Sequence, residues 1–152
     1  YRLIGEWHSG DSTLVPVSDE QEAEANESDY SQLSSFPKAR EHFLQAIEEL
    51  KNGHFRGSVT ESISGVESVI KSLSGQSAVT LGDGLKRLDS VNPLHPALKL
   101  GLEKLYGWTN NPSGMRHAMS DESQSVSESE ARFMLSACLA FSAWLKRSHT
   151  AE

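Results

Sequence analysis

One cysteine in 152 residues removes two classes of function at once. Cys138 has no partner for a disulfide, and a lone thiol cannot build a thiolate metal centre. Basic charge is also short: 14 lysines and arginines stand against 21 aspartates and glutamates, a net charge of −7. A protein that coats nucleic acid through bulk charge is normally strongly basic, so only a local basic site stays open. No apolar run approaches the roughly 20 residues that cross a bilayer. No signal or lipidation motif is visible either. His8, His42, His54, His95, His117 and His149 are dispersed, and none forms a helix-borne metal pair. These absences lead to the expectation of a cytoplasmic protein without membrane, metal or cofactor. The opening Tyr1-Arg2-Leu3-Ile4 reads like the inside of a longer sequence, so a preceding N-terminal domain is expected.

What the chain does have is one dominant apolar helix, Ser127 to Arg147. Ser127-Glu128-Ser129-Glu130 is a capping box, a hydroxyl at the N-cap with a carboxylate three residues on. From Ala131 to Leu145 only Arg132, Ser136 and Ser142 are polar, too few for a helix with one wet face. Met134, Ala137, Cys138, Phe141, Trp144 and Leu145 make the densest stripe, and Leu135 and Leu139 point the other way. That second face must meet another helix of the same chain or a second copy, and a homodimer through this helix is expected.

The rest of the chain divides near residue 33. Tyr1–Ile4 and Thr13–Val17 are strand-like runs around a turn-rich stretch, which suits a small hairpin. An acidic run follows, with Asp19, Glu20, Glu22, Glu24, Glu27 and Asp29. It reads as a linker or frayed helix, because almost nothing apolar marks a buried face; the alternative is a solvated helix begun at Ser18. From residue 34 the pattern is helical. Helix one runs from Ser34 or Ser35 to Lys51, with Pro37 in its first turn. Helix two, His54 to Leu73, carries Val59, Ile63, Val66, Ile70 and Leu73 at steps of four and three, before Gly75 stops it. A short helix with Leu81, Leu85 and Leu88 follows the N-cap candidate Thr80. A fourth begins at His95-Pro96 and ends near Gly107. The pattern predicts an all-α bundle of about five helices over residues 34–152, behind an N-terminal hairpin and acidic linker over residues 1–33.

Charged residues in unexpected places are the candidates for chemistry. On a helical wheel Arg40 falls on the apolar side of helix one, and Glu67 flanks the stripe of helix two. Buried charges need partners, so Arg40 with Glu67 is a natural pair. The competing account is an Arg40 stem lying over the core with its head in water, and a Glu67–Lys71 surface pair. The loop from Tyr106 to His117 is the densest in unusual residues, with Tyr106, Trp108 and Asn111 as substrate-binding candidates and the adjacent Arg116-His117. An arginine can grip a phosphate with two donors and a histidine can move a proton near neutral pH. That is the minimum equipment for cleaving RNA through its own 2′-OH without a metal; otherwise the pair is an ordinary surface dipeptide.

A family resemblance joins these pieces. Ser58-Val59-Thr60-Glu61-Ser62-Ile63-Ser64-Gly65-Val66-Glu67-Ser68-Val69 is followed by Thr80-Leu81-Gly82-Asp83-Gly84-Leu85-Lys86 and His95-Pro96-Ala97-Leu98. Leu105-Tyr106-Gly107, Gly114-Met115-Arg116-His117-Ala118 and Glu130-Ala131-Arg132-Phe133-Met134-Leu135 complete the order. Together they resemble the C-terminal helical domain of bacterial abortive-infection proteins, in the HEPN-like superfamily, over about Phe36 to Lys146. The resemblance implies a bundle of four or five helices, commonly a homodimer, with an RNA-directed role in phage defence. In active HEPN ribonucleases an arginine is followed four to six residues later by a histidine at the approach to the last helix. Here His117 follows Arg116 directly, so Arg116 transfers as the basic member and His117 as a displaced partner. The resemblance implies an RNA-directed domain. Read with the charged residues above, it gives a metal-independent endoribonuclease with Arg40 and Glu67 as supporting polar residues; the alternative is an inactive dimerisation or interaction module.

Overall fold

The computed structural model describes residues 2–4, 13–15, 20–75, 80–110 and 126–150. Strands β1 (Arg2–Ile4) and β2 (Thr13–Val15) pair antiparallel, with Arg2 opposite Val15. Among the described residues there are then six α-helices: α1 (Glu20–Ser31), α2 (Pro37–Lys51), α3 (Phe55–Ser74), α4 (Leu81–Val91), α5 (Pro96–Asn110) and α6 (Glu128–Thr150). A 3-10 turn, Gln32–Ser35, links α1 to α2.

Local chemistry sets the boundaries. Pro37 occupies the first turn of α2, where its missing N–H leaves no bond unmade. Gly75, at φ 70°, takes the left-handed conformation that ends α3 and gives its amide to the Lys71 carbonyl. Thr80 caps α4 by accepting from the Asp83 amide at 3.2 Å while its own hydroxyl reaches the Asp83 carboxylate at 2.7 Å. The capping box of α6 closes in both directions: the Glu130 amide donates to Ser127 Oγ at 3.3 Å, and the Ser127 amide donates to Glu130 Oε2 at 2.8 Å.

Helix α3 is the spine, packed on α2 along one side and α6 along another. Contacts between α2 and α3 run in opposite senses: His42 meets Glu61, and Glu49 meets His54. The two helices approach closely at Gly65, where an added Cβ would lie 2.8 Å from the Phe43 ring. Phe43, Ile47, Val59, Val69, Ile70, Leu85, Met134, Leu139 and Leu145 form the centre of the core.

Two expectations from sequence are corrected and one is extended. The acidic run is neither a linker nor frayed: it is α1, and it packs on α6. Its buried positions are Ala23, Asn26 and Tyr30, a small residue, an amide and a phenol, so the face has helical spacing without a stripe of large aliphatic residues. Beside the five helices expected over residues 34–152, which are α2 to α6, α1 adds a sixth from the acidic arm. Finally, Leu135 and Leu139 do not form an open face, being 2% and 0% exposed within a single chain. Of the two partners open to that face, helices of the same chain cover it, and not a second copy.

Candidate functional site

The expected loop from Tyr106 to His117 begins later than the sequence suggests, because α5 continues to Asn110. Tyr106 and Trp108 are therefore helical residues, both half-buried against the core. The Tyr106 hydroxyl donates to Glu67 Oε1 at 3.0 Å, tying α5 to α3. Glu67 thus has a partner, but not the expected one. Arg40 instead lies over the ring of Tyr30, with its guanidinium carbon 4.8 Å from the ring centre. The two expected partners sit on different edges of the bundle, Arg40 toward α1 and Glu67 toward α5, and no ion pair joins them. A wheel shows which face a residue occupies, but not which neighbour comes to that face. Asn111, Arg116 and His117 lie outside the described residues.

After Asn110 the described residues resume at Val126. Val126 and Ser127 line an open cleft of about 550 Å3, together with Gly53, His54, Phe55, Arg56 and Gly57. The cleft forms because α3 and α6 run in the same direction, so their first turns lie side by side. Helix starts present unpaired amides and a partial positive charge, which favour anions. Arg56 and His54 add donors on the same wall. Carboxylates already use part of this potential. Glu49 Oε2 is 3.1 Å from His54 Nδ1, and it stands where a Cβ on Gly57 would meet it at 2.6 Å. The Ser127 amide and hydroxyl hold the Glu130 carboxyl below the usual carboxylate range. Acidic oxygens therefore occupy the kind of place that phosphate oxygens would take.

Sequence reasoning did not find this cleft. Periodicity reports faces and not directions, so nothing in the sequence signalled that the starts of α3 and α6 coincide. A second space, of about 20 Å3, lies between Ile63, Val66, Leu102, Met134 and Phe141, and Cys138 borders it. Its lining is apolar, so it offers a water no partners. Burial pushes the Cys138 thiol up to about 12, and it is no nucleophile near neutral pH. Among the described residues, no three His, Cys, Asp or Glu side chains group to hold a metal. No described helix is long and apolar enough to cross a membrane.

No family model, curated protein or solved structure matches this chain.

Proposed function

We propose that the chain is an RNA-directed domain of the abortive-infection type, in which Arg116 and His117 act on a strand held against the α3/α6 cleft. One observation carries this reading. Val126 and Ser127, downstream of that pair in the sequence, line a cleft walled by His54, Arg56 and the first turns of two helices. Phosphate backbones are recognised by such a combination of helix starts and arginine. The order of motifs from Ser58 to Leu135 supports the same assignment.

In this proposal Arg116 grips the phosphate that is attacked and neutralises the charge that builds on it. His117 removes the proton from the 2′-OH as the 2′-oxygen bonds to phosphorus, and the bond to the 5′-oxygen breaks with a proton delivered to that oxygen. The products are a 2′,3′-cyclic phosphate and a free 5′-OH. Incubating the protein with end-labelled RNA in EDTA, beside Arg116→Ala and His117→Ala, tests this. Cleavage by the parent alone, leaving cyclic phosphate ends, is the expected outcome. Binding without cleavage would leave an RNA-binding domain; neither, from folded protein, would end the RNA reading.

A second reading is supported by a separate observation. Val91, Leu98, Leu100 and Phe133 are large apolar side chains exposed on α4, α5 and α6. A dimerisation or interaction module would use these, not Leu135 and Leu139.

A further inference from the structure

Helix α1 carries Glu20, Glu22, Glu24, Glu27 and Asp29, with no lysine or arginine. It nevertheless docks, and the groups that receive it are largely basic. Arg147 Nη1 donates to Gln32 Oε1 at 2.6 Å and lies 3.8 Å from Asp29 Oδ1. Lys146 Nζ donates to the Gln32 carbonyl. The guanidinium of Arg40 covers the Tyr30 ring at 4.8 Å. Midway along α6, Asn26 Nδ2 donates to Ser136 Oγ at 3.0 Å. Only Ala23, Tyr30 and Leu33 bury apolar side chains in this segment.

The pattern has the chemistry of a nucleotide strand. Two neighbouring cations on α6 hold oxygen acceptors, as they would hold phosphates, and an arginine on α2 stacks on a ring, as it would on a base. We infer that α1 with its 3-10 turn is a displaceable internal mimic, and that Arg40, Lys146 and Arg147 form a binding edge for single-stranded nucleic acid when α1 leaves. This edge is separate from the α3/α6 cleft: Arg147 ends α6, whereas the cleft lies at its start. It rests on the RNA-directed reading for the class of ligand alone. Salt and a competing polyanion both weaken the ionic part of the α1 contact, which is partly exposed.

Hydrogen exchange of the full chain with and without a labelled oligouridylate tests the inference. Exchange in residues 20–35 should accelerate on binding while α6 keeps its protection. Gln32→Ala should tighten binding by loosening the mimic, because it removes the side-chain acceptor that holds Arg147. Arg147→Gln should weaken it and lower the slope of log affinity against log salt by about one. Arg40→Lys should weaken oligouridylate binding and leave inorganic polyphosphate unaffected, because lysine keeps the charge and loses the stacking plane. Binding with α1 still protected, and no effect of Arg147→Gln, would overturn the mimic and leave the RNA reading intact. Oligouridylate binding that is as insensitive to Arg40→Lys as polyphosphate binding would overturn the strand recognition. No binding by the parent or by Gln32→Ala would overturn both.

Discussion

Glycine 65 shows how one missing side chain fixes a helix pair. A glycine inside a helix ordinarily costs about 0.5–1 kcal/mol relative to alanine. At this position the α2/α3 contact requires it, since a Cβ would press on Cε2 and Cζ of the Phe43 ring, itself fully buried. Overpacking of that kind costs about 1–3 kcal/mol, more than the gain in helix propensity. Gly82, in α4, has nothing within 4 Å of the same added atom. Gly65→Ala should therefore lower stability, and Gly82→Ala should raise it by up to about 1 kcal/mol. Urea unfolding of both variants checks the pair; a shift in the same direction for both would mean that the Phe43 contact does not decide the outcome.

At the level of elements, ends are better defined than partners. The Thr80 cap, the Ser127 box, the proline of α2 and the glycine after α3 all stand in the sequence, because each is a local bargain between a side chain and nearby backbone. Docking of α1 was not legible, since Ala23, Asn26 and Tyr30 form a stripe by size and hydrogen bonding and not by hydropathy. The end of α5 was missed for a related reason: Gly107 suggested a stop, yet the half-buried Tyr106 and Trp108 hold the helix through it. Caps also give the fold part of its pH dependence. The Ser127 hydrogen bonds lower the Glu130 pKa in the folded state, so their contribution is present above the ordinary carboxylate pKa and is lost on acidification. Asp89 acts in the same sense, lowered by its hydrogen bonds from Lys99 and the Leu94 amide. Asp29 acts oppositely, because burial raises its pKa more than Arg147 lowers it. Glu130→Gln should lose up to about 1 kcal/mol at neutral pH. That deficit should shrink as the pH falls through and below the ordinary carboxylate range, where the parent carboxylate protonates. Thermal unfolding of parent and variant across that range measures it, and a deficit independent of pH would remove the carboxylate from the account.

Across the whole molecule, the all-α class and the dominance of the final helix follow from the scarcity of polar residues between Ala131 and Leu145. The spatial plan does not follow, because no residue pattern states that α3 and α6 run side by side in one direction. The candidate site was correspondingly half-legible. Unusual residues near Tyr106 marked the region, but the Glu67–Tyr106 bond and the cleft beside Arg56 depend on that plan. Association between copies belongs at this scale too. With Leu135 and Leu139 inside the monomer, a dimer would have to use exposed residues such as Phe133, and Phe133→Glu should then convert it to monomer by light scattering. An unchanged dimer mass in that variant would place the interface elsewhere.

The tight connection between α2 and α3 has one more consequence. Asn52, Gly53 and His54 alone separate the two helices, and Gly53 turns the chain at φ 78°. Contacts across this pair therefore close with little loop entropy, and the pair is placed to form early in folding, before the more distant α6 docks on it.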